Sequence, residues 1–447
     1  MLKKRFLPLC APALWVALWL PLGGAHAALT IEITEGVPGA LPIAVVPFGA
    51  EGQGAPPDDI GAIVAAARHR SGRVAPLAEQ DLLARPHEGR EVNFRDWRVL
   101  GVEGLAVGKV RATGAGQYTV QFQLFNVFQA TQLAGYTIPT TNADLRRTAH
   151  QISDIIYEKL TGEPGAFNTR IAYVTAAGKA PTQTYSLQVA DADGHNPRTI
   201  LNSKQPLLSP AWSPDGTRLA YVSFENKRAQ IYIQEIATGK RELIASYPGL
   251  NGAPAWSPDG TRIALTLSKD GNPEIYVLSL AAKTLQRLTS NPAIDTEPVW
   301  SPDGSTLVFT SDRGGRPQLY RMSASGSGEA SRITFAGDYN ARGVFSPDGK
   351  QLAMVHGTGG QYRIALLELQ TGALRVLSDR TLDESPSFAP NGAMIIYATN
   401  ENNRGTLAAV SVDGRVHNRL VLQEGDVREA VWSPFGRRIM LHPDPKP

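Results

Sequence analysis

The chain has 447 residues, with 44 Lys and Arg against 41 Asp and Glu and a formal net charge of +3. A hydrophobic content of 42% can build cores, and a charged content of 19% is too low for a disordered polyelectrolyte. That length fits two or three domains, or one domain and a repeat array.

Residues 1–27 read as a secretory signal peptide. Lys3, Lys4 and Arg5 precede an apolar run from Phe6 to Leu22, and Ala25-His26-Ala27 offers a small-x-small cleavage site. An uncleaved anchor is the alternative; Pro8, Pro12 and Pro21 in so short a run count against it. Cleavage after Ala27 leaves 41 residues of each sign, which removes the basic excess that nucleic-acid binding needs. Cys10, the sole cysteine, leaves with the same segment. Disulfides, thiolate metal sites and cysteine catalysis go with it. No later stretch is apolar enough to span a bilayer, so the product is expected to be exported and soluble.

Residues 28–161 read as a small α/β domain with a mixed sheet. Leu29, Ile31 and Ile33 alternate as a strand should, and Ile43 to Phe48 has the character of a buried strand. Ile60, Ile63, Val64 and Ala67 fall at helical spacing after Asp58-Asp59, and Gly72 ends that helix. Leu105 to Val110, Tyr118 to Leu124 and Gln132 to Ile138 are further strands. A helix from about Asn142 to Leu160 carries Leu145, Ala149, Ile152 and Ile156 on one face and stops at Gly162. Residues 162–169 form the linker.

From residue 170 to 447 a repeat takes over. Trp212-Ser-Pro-Asp-Gly216 recurs at Trp256 and Trp300, then in weaker form at Phe345, Phe388 and Trp432. Its serine position advances by 43 to 45 residues (Ser213, Ser257, Ser301, Ser346, Ala389, Ser433). Each unit holds four short strands, which is one blade of a β-propeller. The expected architecture is an α+β N-terminal domain followed by an all-β six-bladed propeller with a C-terminal tail. The closing blade takes its first strand from around Ala430-Val-Trp432 and the others from residues 170–201. Both Ile171–Val174 and Arg437–Leu441 fit its second-strand position, and the pattern does not choose between them. In the turn, Pro presets φ, Asp binds nearby amides and Gly accepts a positive φ. Asp215, Asp259, Asp303 and Asp348 are therefore turn residues, and the aromatics pack between blades.

Chemistry is hard to find. The nucleophile elbow Gly-x-Ser-x-Gly is absent, and Gly326-Ser-Gly328 lies in a turn. Gly114-Ala-Gly116 is a hairpin turn and not a phosphate cradle. His69, His87, His150, His195, His356, His417 and His442 are scattered without metal-ligand spacing. No catalytic residue, metal or cofactor is assigned. Recognition then falls to the varied end of the ring, where the second-to-third-strand loops and the inter-blade loops meet. These include Phe224–Arg228, Asp312–Arg316, Leu250-Asn-Gly-Ala253, Asp295-Thr-Glu297, Asn340-Ala-Arg342 and Asp383-Glu-Ser385.

The chain resembles the TolB family of the Gram-negative Tol–Pal system over nearly its whole length. The resemblance rests on Pro42-Ile-Ala-Val-Val-Pro-Phe48, Ala55-Pro-Pro-Asp-Asp-Ile-Gly61, Glu158-Lys-Leu-Thr-Gly162, Thr169-Arg-Ile-Ala-Tyr-Val174, Thr296-Glu-Pro298 and Leu382-Asp-Glu384. It implies a non-enzymatic periplasmic adaptor, associated with membranes only through partners, that supports outer-membrane integrity and invagination during cell division. It also implies that the lipoprotein Pal binds the loop-rich end, at Leu250, Asn251, Ala253, Thr296 and Glu297. The C-terminal domain of TolA would engage the mature N-terminus at Ala28, Leu29, Thr30, Ile31, Glu32 and Ile33, with that segment free or packed back according to Pal occupancy. Colicins exploit the Pal site in the family. Leu250 stands where the family often has histidine, Asn391 and Phe435 depart from the turn motif, and the tail from Arg437 runs past the usual ending. An exported propeller enzyme or a glycan- or ligand-binding protein is the alternative.

Overall fold

The computed structural model describes residues 29–33, 39–52, 56–179, 181–422, 425–437 and 439–443. The leader expected at residues 1–27, and Ala28 of the expected TolA segment, lie outside the described residues.

The repeat folds because each turn closes on itself. In the first full copy the Ser213 hydroxyl donates to Asp215 Oδ1 (2.6 Å) and accepts from Arg218 N–H (2.9 Å), while Thr217 N–H donates to Asp215 Oδ1 (3.0 Å). Gly216 then takes φ +67°, a conformation that costs glycine nothing. The aromatic before the turn ties one blade to the last. Trp256 Nε1–H donates to Ala211 O (3.2 Å) and Trp300 Nε1–H to Ala255 O (3.1 Å), each ring lying under an arginine of the preceding blade, Arg218 or Arg262. These contacts are the packing role expected for the aromatics.

Six four-stranded antiparallel units result. Blades 2 to 6 have first strands Leu207–Trp212, Asn251–Trp256, Asp295–Trp300, Tyr339–Phe345 and Glu384–Phe388. Blade 1 takes its first strand, Asp426–Trp432, from the C-terminal part of the chain and pairs it with Arg170–Ala177. This resolves the choice the pattern left open in favour of Ile171–Val174. The junction copies the turn between two distant segments of the chain: Ser433 Oγ accepts from Arg170 N–H (2.9 Å), as Ser213 Oγ does from Arg218 within a continuous turn. The first strands pack on one another in order around the axis, the sixth on the first, so the ring is closed.

The front domain folds around a mixed sheet in the strand order Val74–Pro76, Leu41–Val45, Gly104–Gly114, Gln117–Asn126 and Thr131–Thr141. The first two pairings are parallel and the next two antiparallel. Helices α1 (Ile60–Ser71), α2 (Phe94–Val99) and α3 (Leu145–Thr161) complete it. Asp59 Oδ1 accepts Ala62 N–H at the start of α1, and Gly162 closes α3 at φ +78°. A core of Ile43, Val64, Phe122, Ile138, Ile152 and Ile156 lies between sheet and helices.

The two ends of the chain are exchanged between the domains, which the sequence reading did not foresee. Leu29–Ile33, expected within the front domain, pairs instead as a fifth strand on the outer edge of blade 6, with Leu29 opposite Leu422 and Ile33 opposite Asn418. The tail, expected with the propeller, crosses to the front domain. There His442–Pro443 pairs with Thr131–Thr141, and Gln151 brackets the Ile439 backbone through two hydrogen bonds (2.9 and 2.6 Å). Asn391, which departs from the turn motif, gives its side-chain N–H to Pro164 O of the linker (2.9 Å) and so joins blade 6 to it.

Candidate functional site

The first strands explain where a site can form. Each carries an irregularity three residues before its aromatic, and one residue there adopts a left-handed backbone: Ser209, Ala253, Glu297, Arg342, Ser385 and Glu429, all with φ between +46° and +56°. None is glycine, so each bears a modest strain that the blade must hold. Because the first strands surround the axis, these six positions form one layer of the channel wall.

That layer is closed by a charged clasp. Arg342 donates through Nε to Glu297 Oε1 (2.8 Å), reaches Glu429 Oε1 through Nη2 (3.3 Å) and bonds the Ser385 hydroxyl. Glu297 also accepts from Thr310 Oγ1 (2.9 Å) and from Arg342 N–H (3.1 Å), and Glu429 accepts from Ser209 N–H (3.2 Å). The two carboxylates outweigh burial and hold the guanidinium pKa above its ordinary value. Blades 1, 2, 4, 5 and 6 are stitched together in this way at the axis.

Of the residues the resemblance put on the Pal face, the structure brings Ala253, Thr296 and Glu297 onto or beside the channel wall. Leu250 stands at the rim with 44% of its surface exposed. Asn251 behaves differently: it is buried, and its amide accepts from Tyr247 N–H (2.9 Å) and donates to Tyr247 O (2.8 Å), bracing the loop that presents Leu250. Glu297 is committed to the clasp and has little left for a partner. The residues missed are hydrophobic. Ile294 (49% exposed), Phe335 (76%) and Leu382 (55%) occupy other inter-blade connections at the same end as Leu250. Large exposed apolar groups on successive loops make that face the candidate for an interaction surface. The signal was present in the sequence, since Leu250, Ile294 and Leu382 each sit six residues before the blade aromatic.

The opposite end is spent on itself. Asp259 is held down to about 2 by the Ser257 hydroxyl and the Thr261 amide, and Asp215, Asp303 and Asp348 are shifted the same way. The Ser323, Ser325 and Ser327 hydroxyls at the Gly326-Ser-Gly328 turn bond one another in sequence (2.8 Å each). Back at the loop end, His356 is buried between Asn340 Oδ1 (2.9 Å) and Thr358 Oγ1 (3.2 Å). Among the described residues, one group has metal-ligand chemistry: His150 of α3 with Asp191 and Asp193 of blade 1, ligand atoms within 4.8 Å of one another. Arg146 already lies 2.5 Å from Asp193 and 3.5 Å from Asp191, supplying the positive charge there. The cluster is an inter-domain ionic contact. Among the described residues, no helix is long and apolar enough to cross a membrane.

Comparison with known proteins agrees with this architecture. Residues 29–133 match the family model for the TolB amino-terminal domain, and residues 157–436 match that for the TolB beta propeller domain. The chain is 60% identical over 418 residues to the "Tol-Pal system protein TolB" of Thioalkalivibrio sulfidiphilus, covering 93% of this chain and 96% of that one. It is 59% identical over 409 residues to the protein of the same name from Nitrosococcus oceani, covering 91% and 94%. The crystal structure of TolB from Acinetobacter baumannii superposes with a TM-score of 0.84 at 43% identity, covering 91% of this chain and all of that one.

Proposed function

The chain belongs to the TolB family of Tol–Pal system proteins, and from that premise we propose that it is a non-enzymatic periplasmic adaptor. Its propeller binds Pal through the loop-rich end, and its mature N-terminus engages TolA. The observation that carries the reading is the contrast between the ends of the ring. One end is closed by internal hydrogen bonds. The other offers Leu250, Ile294, Phe335 and Leu382 to solvent around a channel mouth. Buried apolar anchors inside a polar rim are what a protein interface needs.

The N-terminal segment supports the second half of the reading. As an added strand on blade 6, Leu29–Ile33 is held by one set of ladder bonds along an edge. A strand held only at an edge can be exchanged for pairing with another protein, the mode by which peptides extend sheets. Pal occupancy at the loop end would bias whether the segment is packed or free, and outer-membrane constriction at division would follow from that coupling.

The test is a titration of residues 28–447 with the soluble domain of a Pal lipoprotein. Leu250→Arg and Thr296→Arg should weaken binding while the melting transition stays in place. Removing residues 28–33 should abolish capture of the TolA C-terminal domain and leave Pal binding intact. Normal Pal binding by both arginine variants would refute the placement of the face.

A further inference from the structure

The loop end is not uniform around the axis. Leu250, Ile294 and Phe335 give the connections into blades 3, 4 and 5 an apolar character. Across the mouth, between blades 5, 6 and 1, lies a cavity of about 420 Å³ whose lining sets Leu382 among aromatic, polar and charged groups. Tyr339 and Tyr362 meet edge to face with ring centroids 5.1 Å apart and form one wall. Arg342, Asp383, Glu384, Asp426 and Arg428 bring charge to it, Asp383 being buried and taken up by the Ser378 and Thr399 hydroxyls.

The balance of those charges is acidic. Arg342 is matched by Glu297 and Glu429 in the clasp. Arg428 lies 3.9 Å from Asp426, whose carboxylate also accepts Gly405 N–H (3.0 Å). Glu384 is exposed at the start of its strand, and no hydrogen bond or ion pair engages its carboxylate among the described residues. One open carboxylate beside two tyrosine rings, with Arg342 held in the clasp and Arg428 60% exposed to solvent, is complementary to a single positive charge on an apolar stem.

We propose that this pocket receives a lysine or arginine side chain from the protein that seats on the loop end, its cation on Glu384 and its stem against Tyr339 and Tyr362. The proposal rests on the adaptor reading and adds to it. The partner should be apolar where it meets Leu250, Ile294 and Phe335, and basic at the one point that faces Glu384. Two unlike contacts on opposite sides of the axis would also fix the partner's rotation about the channel, which a purely apolar ring would leave free.

The experiment titrates residues 28–447 with the soluble domain of a Pal lipoprotein, for the parent and for Glu384→Gln, Glu384→Arg and Leu250→Arg. Glu384→Gln should weaken binding about fivefold or more and flatten its dependence on salt. Glu384→Arg should weaken it further, and reversing one basic residue of Pal to glutamate should restore it. Unchanged affinity and salt dependence in Glu384→Gln, with binding lost in Leu250→Arg, would overturn the pocket and leave the adaptor reading standing. Should the parent not bind Pal, the adaptor reading fails and the pocket is read alone. Capped Gly-Arg-Gly and Gly-Glu-Gly peptides are then added to tyrosine-labelled protein. Movement of the Tyr339 and Tyr362 resonances by the arginine peptide alone supports the pocket. No difference between the peptides overturns it.

Discussion

The two ends of the propeller are built from the same strands and have opposite characters. At the turn end, every Ser-Pro-Asp-Gly copy spends its polar groups within five residues, and Trp212, Trp256 and Trp300 donate to the preceding blade and lie under its arginine. At the loop end the connections differ in length and sequence, the backbone enters the channel through strained positive-φ residues, and large apolar groups face solvent. The difference teaches that one face can carry the fold so that the other is free to vary. Stability should therefore map to one end and binding to the other.

The largest effect expected is on the turn face. Trp256→Ala removes a side chain that is 8% exposed, together with its bond to Ala211, and should cost about 3–5 kcal/mol in denaturant unfolding. Trp432→Ala, at the half-buried closing position, should cost less, about 2–4 kcal/mol. Equal melting of either variant and the parent would mean that the ring is fastened elsewhere. Next comes the axis, where the two regions meet. Arg342→Ala leaves Glu297 and Glu429 facing each other without a cation, and a loss of about 2–3 kcal/mol is expected because the clasp is partly hydrated. A stability within error of the parent would show the clasp to be ornamental.

Acid should separate the regions further. Asp191, at the domain contact, is pushed up to about 6 by burial, with Asp193 adding to the shift against Arg146. Folding therefore keeps a proton there that the unfolded chain sheds near 3.8, so this contribution is full below 3.8 and is lost as pH rises through about 6. The unfolding midpoint should fall on going from about pH 5 to about pH 7, and Asp191→Asn should flatten that limb. Asp259 runs the other way: its folded value of about 2 contributes stability present above 3.8 and lost as pH falls through about 2. Asp259→Asn should alter only the acid limb. The smallest effect on stability belongs to the loop face, where Leu250→Arg should stay within about 0.5 kcal/mol of the parent.

The blades could be read from the sequence because a period leaves a record: Ser213, Ser257 and Ser301 recur with the same neighbours, Ser346 and Ser433 with most of them, and proline, aspartate and glycine have fixed uses in a turn. The front-domain strands and its long helix followed from alternation and from a single apolar face. The destination of the chain ends did not. Leu29, Ile31 and Ile33 alternate whichever sheet they join, and Ile439 and Leu441 look equally fit for a blade or for the groove beside α3. Periodicity states that a strand exists; its partner is decided by which edge remains uncovered in three dimensions. Helix α2, with its buried Trp97, was missed because six residues are too few to show a period. Of the candidate site, the place of Leu250 on an exposed inter-blade loop was legible. The burial of Asn251 and the commitment of Glu297 to Arg342, 45 residues away, depend on packing across blades.

Which end the proposed partner covers can be measured directly by hydrogen exchange on residues 28–447 with and without a Pal soluble domain. Protection should gather on residues 247–253, 293–297, 335–342 and 382–385, with the amides of the six turns unchanged. Protection of the Ser-Pro-Asp-Gly turns, with those loops still exchanging freely, would contradict the account.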